Sequence, residues 1–111
     1  MINQNTMVLL DEAEESGAGS FMDIRNGQGS TITLNVTIGN SSNVVKLEGC
    51  LTDADSTATA IGVVNASDYS IADKITASGI YFACVTGLEK VRANVTTYSS
   101  GKVTVVGTVV E

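Results

Sequence analysis

The stretch Thr31-Ile32-Thr33-Leu34-Asn35-Val36-Thr37-Ile38 alternates polar and apolar side chains without a break. A period of two places Ile32, Leu34, Val36 and Ile38 on one face of an extended chain. Thr31, Thr33, Asn35 and Thr37 fall on the other, as in a strand with one face in a core and the other against solvent or a partner. Turn-forming residues bound the stretch, Asn26-Gly27-Gln28-Gly29 before it and Gly39-Asn40-Ser41-Ser42-Asn43 after it. A second strand, Val44 to Leu51, follows at hairpin distance.

The same reading carries outward to strands at Met7 to Leu10, Ser20 to Arg25, Ala58 to Val64, Gly79 to Val85, Lys90 to Tyr98 and Lys102 to Val110. Val91, Ala93 and Val95 alternate with Arg92, Asn94 and Thr96, and Tyr98-Ser99-Ser100-Gly101 supplies the turn of a predicted C-terminal hairpin. Asp68 to Ile75 fits a short strand or one helical turn. Asp11 to Gly19 reads as an acidic loop, or as one turn of helix over Asp11 to Glu15. About seven or eight short strands, spaced by turns and without helical periodicity, predict an all-β fold: a single antiparallel sandwich or jelly-roll-like barrel.

The chain has 111 residues, a length that suits one domain. Residues 1–20 are expected to form an N-terminal strand and acidic arm, and residues 21–111 the sandwich. Val is the commonest residue, Thr is close behind, and Pro and Trp are absent; β-branched side chains of this kind suit a pleated surface. The run Val103 to Val110 has apolar residues on both faces, at Val105, Val106, Val109 and Val110. It is therefore a central strand or one covered by another subunit, which makes Val105 and Val109 candidate interface residues.

The net charge of −6 includes a carboxylate cluster at Asp11, Glu12, Glu14 and Glu15, against six basic residues in all. Such a chain lacks the basic footprint that nucleic acid or an anionic membrane requires, so neither is expected as a partner. The acidic cluster is a candidate interface for a protein partner. Arg92 is another, with pairing to Glu48 or Glu89 as the alternative use of its charge. Met1-Ile2-Asn3-Gln4-Asn5-Thr6 lacks the charged and apolar regions of a signal peptide, so the expectation is a protein made and kept in the cytoplasm, or one that leaves it only inside a particle released by lysis.

No histidine is present, which removes the usual general base and the commonest metal ligand. Asp53 and Asp55 resemble the start of a calcium loop, but Ala58 and Val64 stand where such a loop needs Gly and Glu. Asp68 and Asp73 flank Tyr69 and suit either a turn or a sugar contact, with Tyr81 and Tyr98 the other candidate stacking residues. Gly27-Gln28-Gly29 leads into a strand and has no Lys for phosphate. Cys50 and Cys84 have neither metal nor redox spacing and are expected as two buried thiols. The sequons at Asn35, Asn40, Asn65 and Asn94 follow from composition. No catalytic residue, cofactor or metal is expected.

The segment Ile75-Thr76-Ala77-Ser78-Gly79-Ile80-Tyr81, followed by Gly87-Leu88-Glu89-Lys90-Val91-Arg92-Ala93 and by Ser100-Gly101-Lys102-Val103-Thr104-Val105-Val106-Gly107, resembles the C-terminal halves of small tailed-phage virion proteins. In these, an I-x-x-x-G-x-Y strand, a G-hydrophobic-x-x-(V/I)-R-(A/V) strand and a final S-G-x-V-T-V-x-G hairpin recur. The first half of the chain has no comparable match. The resemblance implies a head decoration or cement protein, a head fibre, or a small tail, neck or baseplate component. It further implies a location on the virion, binding to the major capsid protein lattice, and self-association as a trimer or larger ring. A carbohydrate-binding module is the reading from another class.

Overall fold

The computed structural model describes residues 4–24, 31–40, 42–51 and 58–110. Among them lie eleven strands: β1 (Gln4–Ala13), β2 (Gly17–Ala18), β3 (Met22–Asp23), β4 (Thr31–Ile38), β5 (Val44–Cys50), β6 (Thr59–Ile61), β7 (Val63–Asn65), β8 (Ile71–Ala72), β9 (Gly79–Cys84), β10 (Lys90–Thr97) and β11 (Val103–Val110). They form two antiparallel sheets, one ordered β1-β11-β4-β9-β7-β8 and the other β2-β10-β5-β6, with β3 also paired to β10. The fold is the expected all-β sandwich. Its strand count exceeds the sequence expectation because several strands are two or three residues long, too short to show a period.

The alternation read from β4 is the alternation observed. Ile32, Leu34 and Val36 are buried, while Thr31, Thr33, Asn35 and Thr37 are exposed. Val103, Val105 and Val109 of β11, Val91, Ala93 and Val95 of β10, and Val45 and Leu47 of β5 meet them between the sheets. A side chain at Gly107 would meet Ile32 Cδ1 at 3.0 Å and Leu9 Cδ1 at 3.2 Å, so the missing side chain makes room for side chains of β1 and β4 beside β11.

Two expected hairpins are instead arches between sheets. β4 belongs to the six-stranded sheet and β5 to the other, and the same holds for β11 and β10. A turn composition sets a bend, but not whether the bend stays within one sheet. Long-range pairing decides that, and here β4 pairs with β9 and β11 while β10 pairs with β5. The two arches lie side by side and are stitched together by Asn43, the buried polar side chain of the described residues. Its amide donates to the Ser100 carbonyl at 2.7 Å and its Oδ1 accepts from the Ser99 N–H at 2.7 Å. The Gly39 N–H donates to the Lys102 carbonyl at 3.0 Å, and Gly101, at φ 80°, turns beside Gly39.

At the two sides of the sandwich, the chain itself passes from sheet to sheet. β1 runs three residues beyond its expected end, through Asp11 and Glu12, with register shifts and Glu12 at φ 49°. The chain then continues as β2 and β3 along β10. On the opposite side the expected single strand Ala58 to Val64 breaks at Gly62 into β6 and β7, one in each sheet. The segment Asp68 to Ile75 holds the short strand β8 and an isolated bridge from Ile75 to Val45 that buries Ile75 in the core. The calcium-like Asp53 and Asp55 and the Gly27-Gln28-Gly29 turn lie outside the described residues.

Replacing Asn43 by Ala leaves the Ser99 N–H and the Ser100 carbonyl without their partner in a buried site. The expected loss is about 1–3 kcal/mol, read as a lower urea midpoint at unchanged m-value.

Candidate interaction surface

Period two gives each sheet an outer face as well as an inner one, and the two outer faces differ in chemistry. On the sheet containing β5 and β10, the outward positions are Lys46, Glu48, Lys90, Arg92 and Asn94. Arg92 Nε donates to Glu48 Oε1 at 2.8 Å and Asn94 Nδ2 donates to Glu48 Oε2 at 3.0 Å. Lys90 Nζ and Arg92 Cζ sit 4.3 and 4.8 Å from the centre of the Phe21 ring. The charges of this face are thus matched largely among themselves. Arg92, a candidate interface residue by sequence, has its guanidinium held by Glu48 and Phe21 at 20% side-chain exposure, which is the alternative use that sequence reasoning allowed.

The six-stranded sheet is uncharged except at the end of its edge strand β1, where Asp11 and Glu12 lie. Strands β4, β7, β8, β9 and β11 contain no Asp, Glu, Lys or Arg at all. Strand register aligns the central outward residues into two rows. One runs Ile71, Val64, Phe82, Thr33, Thr108, Thr6 across all six strands. The other runs Ile80, Asn35, Val106, Val8. Ile71, Val8 and Ile80 are exposed at 77%, 48% and 43%, and the Thr6 and Thr108 hydroxyls bond to each other at 3.1 Å. An extended run of uncharged outward residues with exposed aliphatic side chains is the usual mark of a protein contact surface.

Other candidate interface residues separate. Asp11, Glu12, Glu14 and Glu15 are exposed around the end of β1, with Lys102 Nζ 3.8 Å from Glu12 and 3.9 Å from Glu14, distances that in water hold little energy. Val105 and Val109 are corrected: both are buried, at 0% and 2% exposure, because β11 is an interior strand between β1 and β4. Of the two explanations for its doubly apolar run, the central strand is the one realised. The outward residue of that run is Val106.

The tyrosines do not converge. Tyr81 is buried and donates to the Ala77 carbonyl at 2.8 Å; burial, and next the charge of Asp68, raise its pKa. Tyr98 donates to the Gly101 carbonyl at 2.7 Å. Tyr69 is exposed at 73% with φ 61°. Asp68 serves the turn beneath it, accepting at Oδ1 from the Ser70 N–H at 2.9 Å and hydroxyl at 2.7 Å, and these bonds hold its pKa below the ordinary carboxylate value. That turn is at full strength above the ordinary carboxylate range and weakens as pH falls through the lowered value. The adjoining cleft, lined by Asn65, Ser70, Lys74 and Tyr81, holds about 190 Å³, below the roughly 300 Å³ at which ligand pockets begin. Among the described residues, no group of three or more His, Cys, Asp or Glu side chains could hold a metal ion.

Cys50 is buried, as expected, but Cys84 is exposed, and both thiols are free. Cys84 is set two positions beyond Phe82 on the outward side of β9, so period two carries it to the neutral face. Hydrogen bonding to Thr86, backbone first and hydroxyl second, lowers its pKa.

The XepA family model matches residues 3–109 of the chain, and a search of curated proteins finds no match. Two solved structures share the fold. The SPBc2 prophage-derived protein YomS is 20% identical, with a TM-score of 0.84 over 100% of this chain and 96% of YomS. The PBSX exported protein XepA is 18% identical, with a TM-score of 0.83 over 99% of this chain and 38% of XepA. The chain thus spans well under half the length of XepA.

In dilute native protein, one thiol per chain, Cys84, is expected to react rapidly with a disulfide reagent, and Cys50 only after unfolding. Because its thiolate is favoured by Thr86, the Cys84 rate should persist to lower pH than that of an unperturbed thiol. Two fast thiols, or none, would contradict this placement.

Proposed function

The chain belongs to the XepA family, and from that premise we propose that it is a non-enzymatic structural protein of a phage particle, a decoration or cement protein that binds the assembled head. The observation that carries this reading is the uncharged stretch of the six-stranded sheet over β4, β7, β8, β9 and β11, a surface with the chemistry of a protein contact. The prophage origin of YomS, a structural neighbour over nearly its whole length, supports association with phage.

In this reading the partners are the major capsid protein lattice and further copies of the chain, with no nucleic acid or membrane involved. The acidic end of β1, Asp11 to Glu15, reaches toward basic ground on the lattice. A decorator of this kind stabilises what it binds by mass action, since it has affinity for the assembled lattice and none for the free subunit. A protein closed by strands at both sides and stitched across its arches suits that task, because it loses little conformational freedom on docking. A second reading, release from the cell as a free exported protein, draws on the description of XepA as exported.

The test is co-sedimentation of tagged protein with purified heads and, separately, with purified tails. Binding to heads at saturable stoichiometry, with a raised temperature of head disruption, is the expected result. Binding to tails alone would move the role to the tail, neck or baseplate, and binding to neither would favour the exported protein.

A further inference from the structure

We propose that the cleft formed by β7, β8 and residues 74–77 is a binding site for one ring of a neutral carbohydrate. The site is independent of the particle reading and adds a second ligand to it. Strand register places its walls. Asn65 lies opposite Tyr81 and Val63 opposite Ala72, so these side chains share the inward side of the six-stranded sheet, opposite to Val64 and Phe82. At this margin Ile75 bridges to Val45 of β5 and is buried, which fixes its neighbours Lys74, Thr76 and Ala77 as the rest of the lining. Inward positions at the end of the core thus carry polar groups around a hollow of about 190 Å³. That is short of a pocket that encloses its ligand, and it suits a single ring whose remaining chain stays in water.

Hydrogen-bonding capacity selects the class of ligand. Asn65 Oδ1 is taken by the Ser67 N–H at 2.9 Å and the Ser67 hydroxyl at 2.8 Å, so the group it offers the cleft is its amide donor. Tyr81 donates to the Ala77 carbonyl and Ser70 donates to Asp68 Oδ1, which leaves both hydroxyl oxygens as acceptors. Lys74 adds donors only, and Thr76 adds both kinds. Vicinal hydroxyls, each of which donates and accepts, match this mixture. An anion would use the donors alone and meet the Asp68 charge that already acts on Tyr81. A cation would meet Lys74, and an apolar ligand would leave the polar groups without partners. Val63, Ala72 and Ala77 give the C–H face of a ring apolar ground. Next to Ser70 in the chain, the exposed Tyr69 supplies an aromatic surface, held at φ 61° by its N–H bond to the Asn65 carbonyl at 2.7 Å and by the Asp68 turn. A site fixed in this way loses little freedom when it binds.

Amide NMR titration of the full chain with the methyl glycosides of glucose, galactose, mannose and N-acetylglucosamine tests the proposal, with inorganic phosphate as the anion control. At least one glycoside should shift the amides of Asn65, Ser70, Lys74, Thr76 and Tyr81, with a dissociation constant of about 1 mM, the affinity of a ligand of about a dozen heavy atoms bound at ordinary efficiency. Three variants locate the site. Asn65→Asp keeps the oxygen that Ser67 uses and removes the amide donor, Lys74→Met keeps the stem and removes the ammonium, and Tyr69→Asn removes the ring with a residue that tolerates positive φ. Each should weaken binding about tenfold with the remaining amide spectrum unchanged, while Lys46→Met, on the other sheet, should leave it unaltered. The proposal is overturned if no glycoside shifts these amides at about ten times that concentration, if the shifts centre on other residues, or if phosphate shifts them as strongly. Binding indifferent to both Asn65→Asp and Lys74→Met would overturn it as well.

Discussion

The structure depends on one constraint, the two-residue period of its central strands under burial on a single side. In β4 and β11 every second side chain is withdrawn from water, and the residues doing so are Ile32, Leu34, Val36, Val103, Val105 and Val109. A slip of one residue in either strand would send all of these to the outer face and bring Thr and Asn into the core. Register is therefore held by the free energy of burial on one face, and the outer face inherits its composition from the residues left over. That the leftovers in β4, β7, β8, β9 and β11 include no charge gives this sheet a second surface suited to packing.

Closure of the sandwich follows from how the chain crosses between sheets. Two neighbouring arches carry β4 into β5 and β10 into β11, and an arch exposes backbone groups that a tight hairpin would pair internally. Asn43 resolves this by acting as donor and acceptor at once, bonded to Ser99 and Ser100 of the adjacent arch. At the sides, the bulged end of β1 and the break at Gly62 let single segments serve both sheets, which covers ground that open edges would otherwise expose. Three of the four sequon asparagines are engaged in this scaffold: Asn40 bonds Ser100, Asn65 orders the turn at Ser67, and Asn94 bonds Glu48.

Charge is segregated by strand. One outer face joins Arg92 and Glu48 to each other and to Phe21; the six-stranded sheet has no charge in β4, β7, β8, β9 and β11, and its carboxylates, Asp11 and Glu12, are confined to the end of its edge strand β1. Segregation of this kind separates a surface that remains in water from one that can be dried at low cost, and it provides the physical link between the fold and a role in assembly. Within the XepA family, this chain corresponds to somewhat more than a third of XepA and to nearly all of YomS, so one sandwich is a unit used both alone and within a longer protein.

The sequence by itself determined the all-β class, the inward and outward sides of β4 and β10, and the availability of Glu48 to Arg92, because side-chain alternation is local backbone geometry and needs no partner to be read. It also contained, in five strands without a charge, the signal of the neutral face, though nothing local says that those five strands share a sheet. Only the tertiary structure decided that the two expected hairpins are arches, that Val105 and Val109 are core while Val8, Ile80 and Val106 form the outer row, and that Cys84 meets solvent while Cys50 does not. Each of those outcomes rests on which distant strand lies alongside, and a turn sequence such as Tyr98-Ser99-Ser100-Gly101 is compatible with a return in the same sheet or a crossing to the other. The choice is made by the combined burial of both sheets, a property of the whole chain and of no segment within it.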